Sequence, residues 1–310
     1  MNNIDNNIND LFTDIESKEL NTVFDHIKNK FLMESIQNQF GLTSYLEKYP
    51  YWGKLSFGEN NYESFMNRAK SLKEHLDDYK WLYNKLEDYR SKLVLYAVLN
   101  NWYNFDYKSL DRCIEKNYKQ YWDLDLVKCD KNEVIVDLGA YFGDTVNSYI
   151  SEYGKDNYKK MYCYEISKDI FEQLKNNTKD YKNIICINKA ASNKEGYLYI
   201  NTNDNSSSAN SISTEGEDKI EAVAIDDDIT EKVTLIKMDI EGAEKDAIEG
   251  CKNHIVNDTP KLLLSVYHNH EDLYAIPRMI NKLNKNYKYY LRYHGGSLFT
   301  SEIILICIPK

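Results

Sequence analysis

From residue 133 to the end of the chain, short apolar β-branched runs alternate with stretches of helical periodicity, and no other feature constrains the fold as much. Strands are expected at 133–138, 160–166, 183–188, 233–238 and 261–266, with helices at 144–153, 168–176, 243–254 and 271–283. Parallel neighbours need a crossover of about a dozen residues, which these helices supply, so the pattern predicts a parallel sheet covered on both faces. The runs 196–201 and 220–225 read as extra strands around a polar Ser/Asn-rich stretch, 203–218, expected to be a structureless loop suited to a flap over substrate. The last two runs, 287–293 and 302–308, flank HGGSLFTS, which is too short for a crossover helix, so they are expected to pair as an antiparallel hairpin. A dinucleotide-binding sheet would continue with another crossover instead.

The first third carries almost no strand signal. Three–four spacing of Ile4, Ile8, Leu11 and Ile15, then of Val23, Ile27 and Phe31, predicts two helices before residue 40, and the aromatic, Gly- and Pro-punctuated stretch 41–61 predicts a connection. Phe65, Ala69, Leu72, Leu76, Tyr79, Tyr83, Leu86, Leu93 and Ala97 keep that spacing with Arg90 as the one break, which predicts a single long amphipathic helix. Its Tyr-rich stripe suits packing within the chain better than an aliphatic zipper, a homodimer seam being the other use. The expected organisation is a helical module at 1–117 ahead of an α/β domain at 118–310.

A formal charge of -10 with no compensating Lys/Arg run repels a polyphosphate, so nucleic acid is not an expected ligand, and membrane surfaces are disfavoured on the same ground. The start, MNNIDNNIND, has neither a basic n-region nor an apolar h-region, and no run approaches the roughly 18 apolar residues of a membrane span, so a cytoplasmic protein is expected. Six scattered cysteines without a C-x-x-C pair read as small buried hydrophobes in a reducing compartment.

The string EVIVDLGAYFGDT, 133–145, is a buried strand running into a turn with Gly139 and Gly143 four apart and Ala140 and Tyr141 between them. Glycines let the backbone turn sharply and approach a ligand, and the following helix presents the N–H groups of its first turn. The pattern is not G-x-G-x-x-G, which counts against a pyrophosphate site. Asp137 ends the first strand, and Glu165 ends the second, where a carboxylate can accept from ribose hydroxyls; alone, Glu165 is a capping acid. Ala190 follows the third strand, where a base would lie. Asp239 falls at the carboxyl end of the strand 233–238, where open α/β sheets bind ligands, with Glu241 in the turn beyond it. Glu244 opens the next helix and is explained by the helix dipole. His268 closes the strand after that and reads both as a core histidine and as a near-neutral base, while Tyr121, in NYKQYWD, reads as ligand cover or core. Asp239, Glu241 and His268 could also hold a divalent ion, but without tight ligand spacing a metal centre is the lesser expectation.

The strings VDLGAYFGDT, YCYEIS, VAIDDDI, IKMDIEGAEKDAIEGC and SVYH, in this order over roughly 118–310, resemble the FkbM-type methyltransferases, the most specific part being KMDIEGAE at 237–244. A parallel sheet closed by a C-terminal hairpin is also the plan of the class I (Rossmann-like) methyltransferases. The resemblance implies an S-adenosyl-L-methionine (SAM) cofactor held by Asp137, Gly139, Ala140, Tyr141, Gly143, Glu165 and Ala190, with Tyr121 as cover. It also implies O-methylation of a hydroxyl on a sugar, glycan or similar small molecule, with N-methylation of an amino acid or amino sugar as the alternative. A nicotinamide-dependent oxidoreductase and a non-catalytic scaffold are more distant readings. A sugar hydroxyl is too weakly acidic to attack unaided, so a base is expected among Asp239, Glu241 and His268. The commoner family turn has Asn where this chain has Tyr141, and the helical first third lies outside the shared core.

Overall fold

A computed structural model describes residues 3–49, 52–56, 58–201, 211–213 and 218–310. The chain opens with α1 (Asn3–Glu16), α2 (Leu20–Leu32), α3 (Ile36–Lys48), α4 (Glu63–Glu74), α5 (Leu76–Lys85), α6 (Tyr89–Asn104) and α7 (Tyr107–Cys113). Three helices therefore precede residue 50 where two were expected, because Ser35 starts a new one: its side chain accepts from the Asn38 N–H at 3.2 Å.

The expected single long helix is three, α4 to α6. His75 leaves helical geometry between the first two. After Leu86 the backbone turns outward, Glu87 N–H donating to Tyr289 C=O, and Asp88 caps the new helix by accepting from the Ser91 N–H at 2.7 Å. The three–four stripe survives these breaks because each segment still buries it: Phe65, Ala69, Leu72, Tyr79 and Ala97 are inaccessible. Arg90, the break in the stripe, begins α6 and pairs with Glu115.

Strand and helix then alternate. β1 (Val134–Leu138), α8 (Asp144–Tyr153), β2 (Lys160–Tyr164), α9 (Lys168–Thr178) and β3 (Ile184–Ile187) come first. β4 (Ala190–Ala191), β5 (Gly196–Asn201), β6 (Ser211–Ser213), β7 (Asp218–Val223) and α10 (Ile225–Asp228) follow. β8 (Leu235–Met238), α11 (Glu244–Gly250), β9 (Lys261–Ser265), α12 (Asp272–Leu283), β10 (Tyr287–Tyr293) and β11 (Ile303–Pro309) complete the chain. The helix expected over 243–254 ends at Gly250, and a π-helical turn occupies His254–Asp258.

The main sheet has seven strands in the order β10-β11-β9-β8-β1-β2-β3. From β9 to β3 the pairs are parallel, with Asp137 level with Cys163 on one side and Lys237 on the other. The hairpin β10/β11 closes the chain, with the His294 N–H donating to Glu302 C=O at its turn. Val134–Leu138 is buried throughout, as a central strand covered on both faces requires. A second sheet runs β4-β7-β5-β6. The stretch expected to be structureless contains β6, whose Ile212 sits opposite Ile200 of β5; 203–210 and 214–217 lie outside the described residues.

The chain divides into two compact units. One is Met1–Lys116 with Val266–Arg278 and Lys288–Leu305; the other is Asn117–Ser265 with Met279–Tyr287 and Ile306–Lys310. Within the first, the helices grip the two C-terminal stretches. The Trp52 indole donates to Tyr267 C=O at 2.9 Å, Ser71 and Tyr79 hydroxyls donate to His270 C=O, and Arg292 donates to Asp88 at 2.8 Å. Backbone bridges Leu86–Tyr289 and Ile114–Tyr293 cover the free edge of β10, which would otherwise template pairing with another chain. Among the described residues no helix is long and apolar enough to cross a membrane.

Candidate active site

At the carboxyl end of β1 the chain enters the glycine turn. Gly139 has φ +78° and Gly143 has φ +90°, and Tyr141 between them is also left-handed, at +47°. A Cβ on Gly139 would lie 1.9 Å from Asp239 C=O, so the turn is built directly against the end of β8. Gly139 and Ala140 N–H groups both donate to Tyr164 C=O, at 3.1 and 2.9 Å, tying the turn to β2 as well. Six left-handed residues (Tyr121, Gly139, Tyr141, Gly143, Glu241, Gly242) serve this region on three connections, and the three that are not glycine hold costly conformations.

Below the turn, Asp137 and Lys237 form a buried ion pair at 3.0 Å, and the Lys237 ammonium also donates to Gly139 C=O at 2.7 Å. Burial pushes the Asp137 carboxyl up, with Lys237 pulling against it. Burial disfavours the Lys237 ammonium too, but Asp137 and then Asp239 outweigh it and its pKa is raised. Asp137 is thus a prop beneath the turn, 2% exposed, and Lys237 is the residue whose role the sequence reading left blank. The one signal it offered was a lysine inside the apolar run VTLIKMD.

Glu165, just past β2, spends one acceptor site of each oxygen on the backbone: Oε2 accepts from the Tyr141 N–H at 3.1 Å and Oε1 from the Ser167 N–H at 2.8 Å. Burial pushes its carboxyl up against the pull of those two donors. Each oxygen keeps a second lone pair. Asn188, after β3, donates to Glu165 C=O at 2.7 Å and so fixes this strand end. Ala190 is taken up in the second sheet, buried with Ile220 and Ala222.

Asp239 follows β8, and the Tyr121 hydroxyl donates to its Oδ2 at 2.6 Å. Glu241 is half-buried in the turn beyond, at φ +55°. Glu244 is inaccessible and accepts from the Ile240 N–H at 3.0 Å. His268 is buried in the other compact unit, its ring 4.3 Å from that of Tyr267. The turn, Glu165, Asp137, Tyr121, Asp239 and Glu241 therefore belong to one unit, and His268 to its counterpart.

A structure of methyltransferase FkbM from Methylobacillus flagellatus has this fold, with a TM-score of 0.66 and 24% identity over 79% of this chain. The chain spans 64% of that protein's length. An rRNA methylase from Streptococcus thermophilus (13% identity, 58% of this chain and 89% of the other, TM-score 0.39) is too distant to bear on mechanism. The same holds for Aeropyrum pernix fibrillarin with natively bound S-adenosyl-L-methionine (14% identity, 58% and 67%, TM-score 0.37). No curated protein matches. Residues 137–290, from the first strand's Asp137 to the hairpin, match the model of the methyltransferase FkbM domain, and this stretch of the chain is a domain of that methyltransferase family.

Proposed function

We propose that this chain transfers a methyl group from SAM to a hydroxyl of a sugar, glycan or similar small molecule, with residues 118–310 as the catalytic domain and 1–117 as a helical module. The observation that carries the reading is the glycine turn wedged against Asp239, with Glu165 at the neighbouring strand end. The missing side chain at Gly139 lets the turn pack directly on Asp239, and its left-handed glycines bend the backbone tightly beside that acid. Glu165 suits a ribose diol because the second lone pair on each oxygen can accept one hydroxyl. In this reading Gly139, Ala140, Tyr141, Gly143 and Glu165 hold the cofactor, and Ala190 borders its base. Asp137 acts through Lys237, which fixes the turn from below.

When bound, SAM supplies an electrophilic methyl on a sulfonium. The chain's own part is to hold the acceptor oxygen about 3 Å from that carbon and to take its proton. Asp239, at the strand end beside the turn, is placed for the proton, with Glu241 as a hydrogen-bond acceptor for substrate and His268 as the other candidate base. The six cysteines are free thiols, which suits a cytoplasmic setting.

The test is a calorimetric titration with S-adenosylhomocysteine, followed by product mass after incubation with deuterated-methyl SAM and a panel of sugar glycosides and amino sugars. Saturable one-site binding and a trideuteromethyl ether are expected. Absence of binding overturns the reading, and label on nitrogen replaces the acceptor half of it.

A further inference from the structure

The segment before β1 places a strained tyrosine on the acid at the end of β8. Tyr121 has φ +69°, a conformation in which a side chain costs about 1 kcal/mol or more relative to glycine. Its hydroxyl donates to Asp239 Oδ2 at 2.6 Å, with Ser265 Oγ 3.5 Å away at the end of β9. The ammonium of Lys237 lies 5.3 Å from the centre of its ring, a distance at which a cation is attracted to the ring face.

The segment is clamped on both sides of Tyr121. The Trp122 N–H donates to Lys119 C=O at 3.0 Å, and the buried Trp122 ring packs edge-on against Tyr149 at 5.1 Å and Tyr153 at 5.8 Å, both on α8. A residue that needed only to fill core would not be held left-handed and short-bonded to a carboxylate. The charged groups of this unit set against Asp239 are the Lys237 ammonium, the Asp137 carboxylate and the Glu241 carboxylate, the last within 4.8 Å of it; the first two already serve the glycine turn.

We propose that Tyr121 is a positioning residue for the reaction, holding the Asp239 carboxylate by its Oδ2 so that the other oxygen is directed to the acceptor. This rests on the methyltransferase reading above and replaces the expectation that Tyr121 covers the cofactor. A hydroxyl donating to a carboxylate favours its ionised form and fixes its rotation.

The experiment needs no acceptor. Carboxyl-13C aspartate labelling, with Asp239→Asn to assign the resonance, follows Asp239 by NMR in the wild type and in Tyr121→Phe. In Tyr121→Phe its titration midpoint is expected to rise by about one pH unit. S-adenosylhomocysteine should bind that variant within about twofold of the wild type, since the hydroxyl touches the acid and not the nucleoside. The reciprocal measurement, the Tyr121 ring carbon in Asp239→Asn, should show a shifted resonance even if the first variant folds poorly. Unchanged resonances in both variants, or a tenfold loss of nucleoside affinity in Tyr121→Phe, overturn the proposal alone. A wild type that binds no S-adenosylhomocysteine overturns the methyltransferase reading beneath it.

Discussion

At the scale of the residue, the site depends on atoms that leave no room for alternatives. Gly139→Ala sets a methyl 1.9 Å from Asp239 C=O at a left-handed φ, so the turn must move. Thermal unfolding of the variant should show a loss of about 2–4 kcal/mol, with S-adenosylhomocysteine binding abolished in calorimetry. Lys237→Met strands a buried Asp137 and should cost about 3–5 kcal/mol in urea unfolding, while the double variant with Asp137→Leu recovers most of it. The glycines were legible as strings because a φ requirement restricts residue type. The partners of Asp137 and Tyr121 were not legible, since Lys237 is 100 residues from Asp137 and Asp239 is 118 from Tyr121, and no local pattern records such a pairing.

His270 makes a separate case at this scale. It is fully buried beside the Arg68 guanidinium, and desolvation first, then that charge, hold its imidazole well below the ordinary 6.5. An unfolded chain binds a proton below pH 6.5 that the folded one refuses, so stability contributed here falls as pH drops, by about 1.4 kcal/mol per pH unit until the folded value is reached. Urea unfolding of His270→Phe against the wild type at pH 7.5 and 5.5 isolates this slope, because the raised carboxyls of Asp137 and Glu165 act equally in both proteins. The wild type should lose more stability on acidification than the variant; equal losses would mean the ring is protonated in the fold.

At the scale of the element, periodicity located helices and strands well and their interruptions poorly. β10 matches its expected range residue for residue, and so does α8, because each is bounded by turn residues and packed on a consistent face. The long helix was misread since a three–four stripe is preserved when a helix breaks and restarts in phase. What breaks it is tertiary: Asp88 serves at once as the cap of α6 and as the partner of the buried Arg292 on β10. Asp88→Ala removes both and should lower stability by about 3 kcal/mol in urea unfolding. Gly250, at the end of α11, is a similar hidden requirement, because a Cβ there would meet Ser192 C=O at 1.9 Å.

At the scale of the whole molecule, the alternation of strand and helix with a terminal hairpin foretold a class I methyltransferase sheet, and the seven-stranded order has that plan. The division of the chain was harder to foresee, because residues 266–278 and 288–305 cluster with the helical module through Trp52, Ser71, Tyr79 and Asp88. That module secures the stretch carrying Tyr267, His268 and His270, a duty that no composition or spacing signals.

Whether the glycine turn is a nucleoside cradle is decided most directly by a crystal structure with S-adenosylhomocysteine bound. The expected result places the homocysteine part against Gly139 to Gly143 and both ribose hydroxyls on Glu165, with its sulfur facing Asp239. Density for the ligand at another place on the chain, or a ribose that leaves Glu165 bonded only to Tyr141 and Ser167, would contradict it.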